Sequence, residues 1–103
     1  MNVSIYRGLR YQEAGNLVVS KDGEVLSPVP SQRAYNHSPD GFQWGYGGSG
    51  PAQLALALLL DVTGQPELAV SLHQNFKSEF VAGWGERWEM TSEEILKWVE
   101  AKK

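Results

Sequence analysis

Short runs rich in apolar residues occur near the N-terminus, and such runs are typical of β-strands. Residues 3–6 and 17–19 are rich in strand-forming side chains. Asp22 and Gly23, just before the apolar residues 25–26, have the chemistry of a tight hairpin turn. These segments together predict an antiparallel meander.

Residues 27–40 interrupt this pattern with three prolines, at positions 28, 30 and 39. Because proline fixes φ and lacks an N–H, this stretch is predicted to be an ordered loop or an edge segment. Aromatic residues then alternate with other residues over positions 42–46, which predicts a short strand with three aromatic side chains on one face. These residues are Phe42, Trp44 and Tyr46.

The longest apolar run, residues 54–60, contains only Leu and Ala, and it predicts a helix over residues 52–62. Because such a helix is apolar on all sides, we expect it to be buried as the central rod of the core. Ser49 is expected to cap the start of this helix, and Gly64 its end.

Apolar residues next recur at every fourth position, which predicts a second helix from Pro66 towards Val81. A short strand is expected around residues 88–90. Thr91 and Glu94 have the spacing of a capping box, which predicts the start of a last helix. We expect the second and last helices to flank the central one.

These elements predict one α+β domain over residues 1–103, with a small antiparallel sheet packed on a buried central helix and two further helices. A chain of 103 residues with 42% apolar residues fits one small core. It has no cysteine, so disulfides, thiolate nucleophiles and cysteine metal sites are excluded. The longest apolar run is far shorter than the roughly 20 residues that cross a bilayer. With no signal segment at its start, we expect a cytoplasmic protein.

The charge of the chain argues against binding to duplex DNA. Nine Lys and Arg residues against twelve Asp and Glu residues give a net charge of −3, whereas nonspecific duplex binding depends on a basic surface. Only Glu93 and Glu94 are adjacent acidic residues, so the chain also lacks the dense acidic runs of a nucleic-acid mimic.

The stretch from Gly45 to Gly50 matches G-x-G-x-x-G before a helix, a pattern that can present backbone N–H groups to a phosphate. No parallel βαβ unit, acidic ribose partner or Gly-Lys-Ser/Thr sequence accompanies it. An alternative is therefore a structural turn, in which glycines let a strand pass closely over the central helix. If the stretch binds an anion or a nucleotide, as in an accessory domain, its binding residues would be Gly47, Gly48, Ser49 and Gly50.

Ser49, His37 and Asp40 are candidates for a nucleophile, a base and an orienting carboxylate, but the spacing around Ser49 departs from G-x-S-x-G. We expect no catalytic residue and no enzyme activity. His37 and His73, with Asp40 or Asp61, are candidate metal ligands, yet a catalytic zinc site needs three ligands and the histidines belong to different elements. We expect no metal and no cofactor, with His73 at the polar edge of its helix and His37 bonded to the loop backbone.

Residues 36–57 read NHSP-x-GF-x-WGYGGSGPAQLALA. This stretch resembles the signature of an uncharacterised family found across bacterial and phage genomes. The similarity extends to residues 6–8 and to Phe76 and Lys77, so it covers nearly the whole chain. That family has no established activity or catalytic residues to carry over.

Within that family, the chain is similar to phage-type anti-CRISPR proteins that act on the type II, single-effector RNA-guided nuclease. The resemblance implies an inhibitor that binds the nuclease or its guide-RNA complex stoichiometrically, as a monomer in the cytoplasm of the bacterial host, and blocks DNA targeting. We expect its interface to use exposed aromatic and polar residues of the loop 33–40, together with a tryptophan between two glycines. The candidates are Arg33, Tyr35, Asn36, His37, Asp40 and Trp84.

Overall fold

The computed structural model describes residues 3–11 and 16–103. The chain divides into two units, one formed by Met1–Leu26 and Glu86–Lys103 and the other by Ser27–Gly85. The first unit contains an antiparallel sheet and one helix, and the second contains three helices. The α+β class predicted from the sequence is confirmed.

The described residues of the first unit form the strands β1 Ile5–Tyr11, β2 Asn16–Lys21, β3 Glu24–Val25 and β4 Arg87–Thr91. These strands form one sheet in the order β3-β2-β1-β4, and their pairings are all antiparallel. The turn between β2 and β3 consists of Asp22 and Gly23, with φ angles of 52° and 87°. Two positive φ angles are what a two-residue hairpin turn requires. The predicted meander is therefore confirmed, and the strand expected around residues 88–90 pairs with β1.

One face of this sheet is buried. Tyr6 lies opposite Met90, and Gly8 lies opposite both Trp88 and Val19; the four side chains are at most 7% exposed. A Cβ atom at Gly8 would overlap the indole ring of Trp88. The ring therefore occupies space that is open only because residue 8 has no side chain.

The first unit ends in α4, Ser92–Lys102. The hydroxyl of Thr91 accepts the backbone N–H of Glu94 at 3.1 Å, and the Glu94 carboxylate accepts the N–H of Thr91 at 3.0 Å. This is the capping box that the sequence predicts. Ile95 and Val99 form the buried positions of the helix.

The second unit is built around α2, Ser49–Thr63, which is buried from Gly50 to Leu59. It contacts α1 (Val29–Ala34), α3 (Pro66–Glu79) and a 3₁₀ turn (Val81–Gly83). Gly64 ends α2 with a φ of 65°, and its N–H donates to the Leu60 carbonyl at 2.8 Å. The predicted central helix, its glycine C-cap and the second helix are confirmed.

Two local predictions for this unit are wrong. The proline-rich stretch contains α1, because Pro28 and Pro30 lie at the start of the helix, where a missing N–H costs nothing. Residues 42–46 form no strand, since Gly41 and Gly45 take φ angles of 104° and 88°. Their aromatic residues share no face: Trp44 is fully buried and Tyr46 is 51% exposed.

Candidate functional site

The amide of Gln53 holds the chain that follows α1. Gln53 is fully buried in α2, and its Oε1 accepts the backbone N–H groups of His37 and Ser38 at 2.7 and 2.9 Å. Its Nε2 donates to the hydroxyl of Ser31 at 3.0 Å and to the carbonyl of Tyr35 at 3.1 Å. Both donors of the amide and both lone pairs of its oxygen are used. A single side chain of the central helix thus fixes the backbone of residues 35–38.

Further hydrogen bonds stabilise this irregular segment. The Ser31 hydroxyl donates to the Pro28 carbonyl at 2.7 Å, so it both donates and accepts. The Ser38 carbonyl accepts from Nε2 of Gln32 at 2.9 Å and from the N–H of Gly41 at 3.2 Å. The segment 33–40 therefore has a defined conformation although most of it lies outside regular secondary structure.

Three rings meet beside this segment. Tyr35 stacks on His37 with ring centroids 4.2 Å apart and an interplanar angle of 16°. Nε2 of His37 lies 2.7 Å from Nε2 of His73, which comes from α3. Tyr35 is 52% exposed, whereas His73 is 3% exposed. The cluster thus runs from an exposed phenol ring to a buried imidazole.

The hydrogen bonds of His73 define the tautomers of the pair. Its Nδ1 lies 2.5 Å from the Val70 carbonyl, which can only accept, so this nitrogen carries the proton. Nε2 of neutral His73 then accepts, and Nε2–H of His37 donates. Burial lowers the pKa of both imidazoles, and the positive charge of Lys77 lowers both further. Both rings are therefore neutral near pH 7.

The predictions for the two histidines are wrong. His73 is buried rather than at a polar edge, and the His37 ring bonds to His73 rather than to the loop backbone. The four-residue repeat at positions 68, 72, 76 and 80 places the first part of the buried face of α3 one position too early, whereas Phe76 is buried as the repeat predicts. That face is centred on Ala69, His73 and Phe76.

The other predicted interface residues differ in their exposure. Arg33, Asn36 and Asp40 are exposed on the same segment as Tyr35. Trp84 is half-buried directly after the 3₁₀ turn, and its backbone N–H donates to the Val81 carbonyl at 3.3 Å.

Sequence reasoning missed Gln53, although it is the only polar residue in residues 52–60 and a buried amide needs partners.

The glycine-rich turn is explained by contacts with its own neighbours. A Cβ at Gly48 would overlap the Tyr46 ring, and one at Gly50 would overlap the side chain of Gln43. Gly48 is the N-cap and no side chain caps the helix, so the predicted capping role of Ser49 is wrong. The described strands are all antiparallel, so the turn does not belong to a βαβ unit.

The first unit has an open cleft of about 550 Å³, whose lining includes Arg7 of β1 and Arg87 of β4. Arg7 pairs with Glu89 at 2.7 Å, and both side chains are more than half exposed. A pair this exposed contributes little to stability and partly neutralises the cleft. The cleft is lined by Arg7, Gly8, Leu9, Arg87, Trp88 and Glu89.

A comparison with protein families finds that the family of unknown function DUF6166 matches residues 6–101. The chain belongs to DUF6166. The matched region includes the whole signature stretch, which contains His37 and Gln53, and it also includes His73. The site described above therefore lies inside the family region. No curated protein and no solved structure matches the chain.

Residues 3–11 and 16–103 of this DUF6166 chain contain no group of three or more His, Cys, Asp or Glu side chains that could hold a metal ion. None of their helices combines the length and the hydrophobicity that a membrane span needs. The strongest candidate site of the second unit is the segment 33–40, because Gln53 and His73 hold it from the neighbouring helices.

Proposed function

We propose that this DUF6166 chain is a binding protein that inhibits its partner by contact, with the segment 33–40 as its main interface. The observation that carries the proposal is the Gln53 amide, which makes three hydrogen bonds to the backbone of residues 35–38 and a fourth to the Ser31 hydroxyl of α1. A buried residue in the central helix thus uses three of its four hydrogen bonds to hold this segment. Such a segment is ordered before any partner arrives.

Order in the free state favours affinity. Binding normally costs the conformational entropy of interface side chains and loops, and a segment that is already fixed avoids much of that cost. Tyr35 is suited to be an anchor, because its ring is held against His37 and yet 52% of the residue is exposed. Tyrosine is also enriched among the residues that dominate interface energies. Arg33, Asn36 and Asp40 surround it with polar groups on the same segment.

The partner in this proposal is a type II CRISPR nuclease or its guide-RNA complex, inside a bacterial cell. The resemblance of the signature stretch to phage-type anti-CRISPR proteins supports this choice, and the geometry supports the interface. Charge supports a contact inhibitor over a DNA mimic. A duplex carries one charge per about 1.7 Å, whereas this chain has a net charge of −3 over 103 residues.

A cleavage titration tests the proposed function. Purified nuclease is mixed with its guide RNA and then with target DNA, and the chain is added from below to above equimolar amounts, either before or after the guide. We expect inhibition to saturate near one chain per nuclease. Ser49→Ala serves as a variant that should inhibit like the parent, since Ser49 is exposed and makes no capping hydrogen bond in α2. Full cleavage at excess inhibitor, or inhibition at far less than equimolar amounts, contradicts the proposal.

A further inference from the structure

We propose that His37 and His73 form a binding site for a transition-metal ion of the zinc or copper type, held between their Nε2 atoms. The two nitrogens face each other at 2.7 Å, and they come from the segment after α1 and from α3. Neutral imidazole is a preferred ligand of zinc and copper ions. This site shares His37 with the segment 33–40, but metal binding does not depend on the proposed partner.

The geometry needs only a small adjustment. Zinc lies about 2.0–2.1 Å from each histidine nitrogen, so two ligands at a tetrahedral angle are roughly 3.3 Å apart. The present separation of 2.7 Å would therefore increase by about 0.6 Å. The proton on Nε2 of His37 can move to Nδ1 of the same ring, so the pair can become two acceptors without a net loss of protons.

The surroundings of His73 match those of a metal-binding histidine. Its Nδ1–H donates to the Val70 carbonyl, and a backbone carbonyl at the second nitrogen is a common way to orient a ligating imidazole. The stacked ring of Tyr35 orients His37.

Two features limit the affinity of the site. No third His, Cys, Asp or Glu joins the pair in the described parts of the chain, so the remaining coordination positions would be filled by water. The charge of Lys77 acts on both rings and opposes a bound cation. The proposal therefore predicts that removing this charge strengthens metal binding. If the two imidazoles only form a hydrogen bond with each other, removing the charge would not change the affinity of the chain for zinc.

Calorimetric titration of the full chain with zinc chloride near pH 7.5 tests the site. We expect one saturable zinc ion per chain, binding that is weaker by roughly tenfold or more in His73→Gln and His37→Gln, and tighter binding in Lys77→Gln. Proton–nitrogen correlation spectra of the parent imidazoles provide a second readout that needs no variant. Zinc should shift the Nε2 signals of both histidines.

Three results would overturn the proposal. The first is the absence of saturable binding at millimolar zinc. The second is binding that remains unchanged when His37 or His73 is replaced. The third is saturable binding to the parent that leaves both Nε2 signals in place, and this result decides the question even if the histidine variants fail to fold.

Discussion

Gln53 and His37 are 16 positions apart in the chain, yet Oε1 of Gln53 accepts the backbone N–H of His37 at 2.7 Å. This bond joins the two ends of the signature stretch, the NHSP residues at its start and the PAQLALA residues in α2. The same amide oxygen also accepts the N–H of Ser38. The signature therefore describes a buried amide together with the loop that it holds.

Replacing Gln53 by Leu should lower the free energy of unfolding by about 2–4 kcal/mol, because the buried partners lose their hydrogen bonds and gain none. Urea denaturation measures the change. Gln74→Leu is the matched control, since Gln74 is exposed on α3 and its replacement should change stability by about 0.5 kcal/mol or less. Equal effects of the two variants would show that the Gln53 network is not important for stability.

Replacing Leu58 by Asp should abolish cooperative unfolding. Leu58 is fully buried, and an unpaired carboxylate there costs several kcal/mol against a total stability of about 5–15 kcal/mol. Leu96→Asp provides the control, because Leu96 is 42% exposed on α4. Thermal melts followed by circular dichroism should show a transition for the control alone. A parental melt for Leu58→Asp contradicts the burial of α2.

Replacing Gly8 by Ala should destabilise the sheet by about 1–3 kcal/mol, because the new Cβ overlaps the buried Trp88 ring. Tryptophan fluorescence should change along with the unfolding midpoint. Gly47→Ala tests the same substitution where no atom lies within 4 Å of the new Cβ and φ is not positive. We expect it to unfold like the parent, and a larger effect there than at Gly8 would contradict the packing described.

Stability should fall as the pH decreases below 6.5. The pKa of His37 and of His73 lies below 6.5 in the folded chain, so the unfolded chain binds more protons between the folded pKa and 6.5. The contribution of the two histidines to stability is complete above pH 6.5. It decreases between pH 6.5 and their pKa values in the folded chain, and it does not change further at lower pH. Asp22 does not contribute in this pH range. Its ordinary pKa of 3.8 already lies below the range, and the Ile5 N–H lowers the pKa further.

Urea unfolding at several pH values between about 7 and 5 measures this dependence. A variant with both histidines replaced by Gln should have a shallower slope over the same range. The same slope in parent and variant would show that other groups cause the pH dependence.

Local chemistry predicted much of the fold. The Asp22-Gly23 turn, the Leu and Ala run of α2 and the Thr91–Glu94 capping box each depend on residues close in sequence. The sequence pattern predicted a loop or an edge segment where α1 lies, because proline both breaks helices and starts them, and only the surrounding contacts decide between these roles.

The candidate site was harder to predict because it depends on contacts between distant residues. The segment 33–40 could be proposed from its polar and aromatic residues, but its rigidity could not. His37 and His73 are 36 positions apart, and no local pattern predicts that their rings meet. Gln53 was detectable as a polar residue within an apolar run, although its four partners were not.

Binding of guide-loaded nuclease to the parent, Tyr35→Ala and Tyr46→Ala is the most direct test of the proposed interface. The two tyrosines are 52% and 51% exposed, but only Tyr35 lies on the segment that Gln53 fixes. We predict that Tyr35→Ala weakens binding by about tenfold, or about 1.4 kcal/mol, that Tyr46→Ala binds like the parent, and that affinity falls only modestly with salt. Undetectable binding of the parent at low salt, or a loss in Tyr46→Ala equal to or larger than that in Tyr35→Ala, would contradict the account.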